Sequence, residues 1–323
     1  MKRVAVLTSG GDSPGMNAAT RAVVRAGIAR GYEMFGVRHG YAGLIGGEFL
    51  PLGSRDVGGI VHLGGTLLGT SRCVEFRSGA GQEEALDQLQ RRSVSALIVI
   101  GGDGSQTGAH MLSKQGLQVV GIASTIDNDL PGVDVSIGST TALDIALEAV
   151  DRLRTTAAAI ERAFIVEVMG RDSGYLALMT AIAGGAEAVI IPEVETHPEA
   201  LAAQLRAARL RGKSHAIVVV AEGAKYDAHA LDQYFREHSA RLGFDLRITR
   251  LGHVQRGGVP NVVDRLIASQ LGAAAIERIA AGEHGLLLGM TGGAVRSMPL
   301  SQVAGARKVM DTRLVELAGV LEQ

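Results

Sequence analysis

Tryptophan is absent from these 323 residues, cysteine occurs once, at Cys73, and aromatic side chains make up only 3% of the chain. A lone cysteine excludes an internal disulfide framework and any metal site built from several thiolates, and it points to a reducing, cytoplasmic setting. So few aromatics argue against a module that binds by stacking. No apolar run reaches the ~18 residues that a helix needs to cross a bilayer. The opening MKRVAVLTSGGD reads as a strand and turn rather than a signal peptide, so the mature chain is expected to begin near Met1. Surplus basic charge is missing too. With 32 Lys and Arg against 33 Asp and Glu the net charge is −1, whereas a protein that grips a polyanion along its backbone normally needs an excess of cations. Neither nucleic acid nor membrane is therefore an expected partner.

What is plentiful is glycine, with 44 residues, and apolar side chains, at 46%. The length suits two domains, and the composition fills two cores joined by many strand-to-helix turns. The stretch SALIVIGGDGS, 95–105, shows the design. Ala96 to Ile100 is a short unbroken apolar run, as in a parallel strand buried on both faces. It stops at Gly101, Gly102, Asp103 and Gly104, where the backbone can approach a ligand closely, and the Ser105–Gln106 segment opens a helix whose N-terminal amides attract anions. Asp103 is a hard oxygen ligand suited to Mg²⁺. Taken alone, the motif fits an ordinary turn as well.

A second copy of the pattern begins the chain: a strand over Lys2–Ser9, the turn Gly10-Gly11-Asp12-Ser13-Pro14-Gly15, and a helix from Asn17 to Arg30. Two such turns on neighbouring parallel strands can face one crevice. Neither is a Walker A loop or a GxGxxG fingerprint, which disfavours a P-loop ATPase or a dinucleotide oxidoreductase. Arg21 and Arg25 share a helix face. A strand at Glu33–Arg38 is followed by a loop through Tyr41, Arg55 and Arg72. Further strands are expected at Val119–Ala123, Ala163–Met169, Val189–Ile191, Ala216–Ala221 and Leu246–Leu251, with helices at Gln82–Gln90, to about Lys114, Ser139–Arg154 and Asp264–Ala281. After Val119–Ala123 comes Ser124-Thr125-Ile126-Asp127-Asn128-Asp129. In an extended segment Asp127 and Asp129 would lie on one side, as a metal pair or a proton acceptor, or simply as a polar turn.

The ordered set TSGGDSPGMN (8–17), GGDGS (101–105), TIDND (125–129), VEVMGR (166–171) and LGHVQRGG (251–258) resembles bacterial ATP-dependent 6-phosphofructokinases over nearly the whole chain. GGDG by itself is shared with NAD kinases and diacylglycerol kinases; TIDND together with GHxQRGG is far more specific. The resemblance implies an α/β fold of two Rossmann-like three-layer domains with mainly parallel sheets and the active site in the cleft between them. The larger, ATP-binding domain would comprise 1–138 plus 252–303, and the smaller, sugar-phosphate-binding domain 139–251 plus 304–323. It implies ATP contacts at Gly11, Tyr41, Arg72, Cys73, Gly102, Asp103, Gly104 and Ser105, with Mg²⁺ on Asp103. Fructose 6-phosphate would meet Thr125, Ile126, Asp127, Arg162, Met169, Gly170, Arg171, Glu222, Arg247, His253 and Arg256. Asp127 is the implied base, supported by Asp129, Arg171, Thr125 and Arg72. Arg162 and Arg247 match positions supplied by a neighbouring subunit, which implies a homotetramer. An effector site for ADP or phosphoenolpyruvate is implied at Arg21, Arg25, Arg55, Arg154, Gly185, Glu187, Arg211, Lys213 and His215, with Glu187 bridging Mg²⁺.

Four residues depart from the pattern. Pyrophosphate-dependent relatives carry Asp at the position of Gly104 and Lys at that of Ser124, and the ATP-dependent pattern has Gly at both. Gly104 leaves room for a nucleotide; Ser124 is neither glycine nor lysine. Ser214 stands where a basic residue is common, with Arg55 displaced by one position. Arg250 stands where an apolar strand residue is expected. The alternatives at this stage are a pyrophosphate-dependent enzyme and a non-catalytic nucleotide-binding regulator of the same fold.

Overall fold

The β-branched runs of the sequence become strands, and almost every one is followed by a helix. The computed structural model describes residues 2–242 and 246–321, and its chain divides into two units. Unit 1 takes the described residues of Met1–Thr141 and Arg256–Lys308, and unit 2 those of Ala142–Gln255 and Val309–Gln323. Unit 1 begins with β1 (Arg3–Ser9), α1 (Met16–Ala29), β2 (Glu33–Val37), α2 (Gly40–Gly46), β3 (Phe49–Leu52), α3 (Gly79–Arg91), β4 (Ala96–Gly101), α4 (Asp103–Lys114) and β5 (Gln118–Ala123). Helix α5 (Ser139–Ile160) starts in unit 1 and continues into unit 2. Unit 2 holds β6 (Ala163–Val168), α6 (Tyr175–Gly184), β7 (Ala188–Ile190), α7 (Pro198–Leu210), β8 (Ala216–Ala221), α8 (Ala228–Glu237), α9 (Ser239–Leu242) and β9 (Leu246–Arg250). The chain then returns to unit 1 for α10 (Val262–Ala280), β10 (Leu286–Thr291), β11 (Ala294–Pro299) and α11 (Leu300–Val303), and closes in unit 2 with α12 (Thr312–Leu321).

The sheet of unit 1 runs β11-β10-β5-β4-β1-β2-β3. Its five inner strands are parallel, and β3 and β11 cap the two edges antiparallel. Side chains alternate between two covered faces, as a period of two requires. Val4, Val6, Ile98, Ile100 and Ile122 pack towards α1 and α10, while Ala5, Leu7, Leu97 and Val99 pack towards α2, α3 and α4. Each fully buried Leu or Ile contributes roughly 1.5–3 kcal/mol of transfer free energy, so this sheet is a rigid base for the turns at its strand ends. The sheet of unit 2, β7-β8-β6-β9, is parallel throughout. Ile165, Val218 and Val220 meet Leu201 and Leu205 of α7 and Leu231 and Phe235 of α8.

Several local expectations are corrected. The loop expected through Tyr41 holds α2 and β3, with Tyr41 facing inward in a helix. Helix α4 opens at Asp103, two residues before the Ser105–Gln106 start, and α5 runs past Arg154 to Ile160. The hairpin β10–β11 was not foreseen, although two apolar stretches flank its Gly292–Gly293 turn. Among the described residues no helix is long and apolar enough to cross a membrane.

Where α5 leaves unit 1, the buried Asp264 of α10 accepts bonds from Gly138 N (2.8 Å), Thr141 N (2.8 Å) and Thr141 Oγ1 (2.6 Å). It thereby caps the first turn of α5 from another helix. Burial pushes its carboxyl pKa up, and these bonds oppose that shift.

Candidate active site

In unit 1 the carboxyl ends of β1, β4 and β5 lie side by side, with Ser9 opposite Gly101 and Gly101 opposite Ala123. The chain order reverses between β1 and β4, the place where open α/β sheets bind ligands. A Cβ on Gly10 would stand 3.1 Å from Ser105 Oγ, and one on Gly102 3.3 Å from Thr125 Cβ, so the three turns form one surface. Neither α1 nor α4 has a side chain capping its N-terminus. The first amide of α1, Met16 N, donates to Ser13 O at 3.2 Å, and both helices begin at this surface with no side-chain cap among the described residues.

Side chains hold the turns from behind. Tyr41 is 5% exposed, stacks on Phe76 at 4.0 Å between ring centroids, and donates its hydroxyl to Ser105 O at 2.6 Å. Its burial pushes the phenol pKa up. The fully buried Gln106 donates from Nε2 to Gly101 O (2.9 Å) and Ile122 O (3.2 Å). Ser13 and Ser124 share a buried hydroxyl bond of 2.8 Å. Arg256 lies against the first turn, where its Nη1 donates to Asp12 O at 3.1 Å, and any side chain at position 11 would collide with the guanidinium.

The TIDND segment is not extended. Ile126 and Asp127 form a turn, and Asn128 takes φ 49°, a left-handed conformation that Asn tolerates. Alternation therefore does not bring Asp127 and Asp129 to one side. Instead Asn128 clamps the loop, donating to Asp134 O (2.7 Å) and accepting from Ser136 N (2.9 Å). Asp127, 2% exposed, has its amide on Thr125 Oγ1 at 3.2 Å. Lys308 supports the far end of the loop through Val133 O (2.6 Å). Burial pushes the Lys308 ammonium pKa down, against the pull of Asp134 and Asp129.

Two observations bear on a metal and a nucleotide. Asp103 Oδ1 is a buried acceptor with no hydrogen-bond partner among the described residues, at the start of α4. Among the described residues no three His, Cys, Asp or Glu side chains group together to cage an ion. Asp103 could thus offer a cation one carboxylate oxygen, the other ligands coming from outside the chain, as Mg²⁺ accepts. Gly104 is required by neither packing nor backbone, since a Cβ there would meet nothing within 4 Å. Glycine in a helix costs up to about 1 kcal/mol against alanine, and no close contact at 104 offsets that cost.

In unit 2 the ends of β6, β8 and β9 gather in the same way, but charged side chains hold the loops. Glu222 Oε1 accepts from Gly170 N (3.3 Å) and Arg171 N (3.0 Å). Arg171 is exposed at φ 51°, and Gly223 is bare because its Cβ would collide with Arg171 O. The fully buried Gln255 accepts from Met169 N at 2.8 Å, while His253 is exposed.

A model of the phosphofructokinase family matches residues 3–279. The chain is 48% identical over 322 residues to the ATP-dependent 6-phosphofructokinase of Thermotoga neapolitana, covering 99% of this chain and 100% of that one. This chain belongs to the phosphofructokinase family. A Thermus thermophilus protein named ATP-dependent 6-phosphofructokinase 1 is 49% identical over 323 residues, covering 99% of each. The solved phosphofructokinase of Saccharomyces cerevisiae superposes with a TM-score of 0.87 at 36% identity, over 100% of this chain and 46% of the yeast chain.

Within this chain, unit 1 holds Gly11, Gly102, Asp103, Gly104, Ser105, Thr125, Ile126, Asp127, Asp129 and Arg256, and unit 2 holds Met169, Gly170, Arg171, Glu222 and His253. Arg72 and Cys73 lie in unit 1 on the segment before α3, where burial pushes the Cys73 thiol pKa up. Arg162 and Arg247 stand apart, at the amino ends of β6 and β9, roughly 20 Å of strand from Met169. Arg162 instead lines a cavity of about 310 Å³ with Arg209, Lys213, Ser214 and His215.

The effector candidates divide between the units. Arg21, Arg25 and Arg55 belong to unit 1 and the rest to unit 2. Arg154 donates to Gly184 O and, at 2.9 Å, to Gly185 O. Glu187, 7% exposed, accepts from Ile217 N (2.7 Å) and Lys213 Nζ (3.3 Å), so its carboxylate is already engaged by protein donors. Arg211 is exposed at the end of α7.

Sequence reading passed over Gln106, Gln255 and Lys308. The first two sit inside or beside the diagnostic motifs, which was a usable signal; Lys308 is distant in sequence from the loop it supports.

Proposed function

We propose that this chain is a kinase that transfers the γ-phosphoryl group of ATP to the 1-hydroxyl of fructose 6-phosphate, giving fructose 1,6-bisphosphate in glycolysis. The observation that carries the donor assignment is Gly104, bare at the mouth of the phosphate turn with no structural need to be so. The names of the bacterial relatives favour the same reaction.

In this reading the uncapped amides of α4 and the 101–105 turn hold the nucleotide phosphates, and Asp103 holds Mg²⁺. Mg²⁺ supplies charge neutralisation and orients the phosphates when bound. Asp127, fixed by the Thr125 bond to its amide, accepts the proton of the attacking hydroxyl, while Asp129 supports its loop. Arg171 and Arg72 neutralise charge on the transferring group, and the roughly 3 kcal/mol attached to single donors in such sites sets the scale for each. Met169, Gly170, Glu222, His253 and Arg256 position the sugar phosphate, with arginine forks matching its oxygens. Arg162 and Arg247, too far along their strands to join these residues, serve the site of a neighbouring copy in a homotetramer. Arg21, Arg25, Arg55, Arg154, Gly185, Arg211, Lys213 and His215 bind the phosphates of ADP or phosphoenolpyruvate between copies, with Glu187 orienting Lys213.

A pyrophosphate-dependent reaction is disfavoured by Ser124, fully buried and bonded to Ser13, where a lysine would have to displace that contact. A coupled assay on fructose 6-phosphate should give turnover with Mg-ATP and little with pyrophosphate. Equal or faster rates with pyrophosphate would overturn the donor. In the same assay phosphoenolpyruvate should raise the apparent KM for fructose 6-phosphate in wild type and less in Arg211→Ala; identical responses would remove Arg211 from regulation.

A further inference from the structure

Glu167 is an anomaly in its strand. β6 reads AFIVEV and is buried along its whole length, and Glu167 is only 4% exposed. A carboxylate in such a place persists only when donors replace its water. Its two oxygens meet two different loops. Oε1 accepts from Arg250 Nε at 2.6 Å, and Oε2 accepts from Ala228 N, the first helical residue of α8, at 3.0 Å. The strand register sets Glu167 directly across from Arg250 of β9 and Val220 of β8, and its backbone carbonyl accepts from Leu251 N at 3.0 Å. One side chain therefore ties the end of β6 to the end of β9 and to the start of α8, the helix that follows β8.

The ends of β6, β8 and β9 carry Met169, Gly170 and Arg171, then Glu222, then His253. Arg250 is the residue that the sequence left unexplained. It approaches Glu167 from the solvent side, its own side chain 61% exposed, and the carboxylate raises the pKa of its guanidinium. Its fork supplies a directed Nε–H that an apolar residue at 250 would not offer.

We infer that Glu167 and Arg250 form a positioning pair that fixes the relative heights of the three acceptor loops without touching substrate. This rests on the reading above that these loops hold the sugar phosphate. Removing the arginine takes the donor from Glu167 Oε1, leaving Oε2 on Ala228 N, and lets the 251–253 segment shift against Met169–Arg171. Placement of groups that bind fructose 6-phosphate suffers, while ATP binding, built on unit 1, does not.

The test is steady-state kinetics on full-length wild type, Arg250→Met, Arg250→Lys and Glu167→Gln, each with its thermal midpoint. Arg250→Met should raise the KM for fructose 6-phosphate roughly tenfold, leaving the KM for ATP within about twofold. Arg250→Lys, which keeps a donor and a charge, should fold if the methionine variant does not, and should show a smaller rise in the same direction. Glu167→Gln together with Arg250→Met should be less than additive. If wild type fails to phosphorylate fructose 6-phosphate, the functional reading itself falls. If wild type is active and the variants lose thermal stability with an unchanged KM for fructose 6-phosphate, or with both KM values moved alike, the positioning role is overturned and the pair is a stability element alone.

Discussion

The two units solve the same problem with opposite materials. In unit 1 the turn amides at the starts of α1 and α4 are left uncapped, and neutral groups such as Gln106, Tyr41 and the Ser13–Ser124 pair brace the turns from behind. In unit 2 the corresponding amides are bound by carboxylates: Gly170 and Arg171 by Glu222, Gly174 by Glu193, and Ala228 by Glu167. A loop whose amides are spent on carboxylates has little left for an anion except side-chain cations. The proposed division, a polyphosphate with its metal on unit 1 and a single phosphate met by arginine on unit 2, rests on this difference.

The sharpest way to break the comparison is to remove the proposed base, Asp127, from unit 1. Asp127→Ser should lower kcat by ~10²–10⁴, the scale of general base catalysis, and leave the KM for fructose 6-phosphate nearly unchanged. A loss within tenfold would show that Asp127 is not the base. Mixing this variant with Arg162→Ala should restore part of the activity if Arg162 serves a neighbour's site; verified hybrids without any recovery would confine Arg162 to its own chain.

Gly104→Asp probes the uncapped turn more gently. Because a Cβ at 104 meets nothing, the thermal midpoint should hold. The KM for ATP should rise about tenfold or more, as a carboxylate enters the space of the nucleotide phosphates. An unchanged KM would mean that Gly104 does not face the nucleotide.

The smallest effect concerns the reliance of unit 2 on charge. Glu199 bonds to Arg241 and, at 2.7 Å, to Tyr234 Oη, and these partners, Arg241 first, lower its pKa from 4.5 to about 2. A carboxyl depressed in the folded state stabilises above its unfolded pKa and loses that contribution as pH falls through its folded one. Between pH 4.5 and about 2, Glu199→Gln should therefore lose less of its thermal midpoint than wild type, though the group is on the surface and the difference small. Parallel acid transitions in the two proteins would show that the pair carries no stability.

Much of this contrast could be read in the sequence, and the unread part shares a cause. Buried strands such as Ala96–Gly101 and Ala216–Ala221 announce themselves by unbroken apolar runs, and the turns by their glycines. Arg250 could not be explained from its own neighbourhood because its partner, Glu167, lies on a strand that is adjacent only in space. Asn128 looked like a spacer between two carboxylates, whereas its left-handed backbone and side-chain clamp set the loop's shape. GYAGLIG carries too much glycine to look helical, yet burial of Tyr41 against Phe76 overrides that weak propensity.

The pairing of β10 with β5, Leu286 opposite Val120, has a consequence for biosynthesis. On the ribosome β5 emerges early, and all of unit 2 except its closing helix must follow before its outer neighbour is made. At ~5–20 residues per second that interval is on the order of ten seconds. A sheet formed before the β10–β11 hairpin is made would end in QVVGIA, an apolar edge of the kind that recruits other strands. The hairpin that finally covers it ends in β11, whose largely exposed AVRSMP puts Arg296 and Ser297 on the outermost strand. The last strands to be made are thus those that end the risk of aggregation along that side.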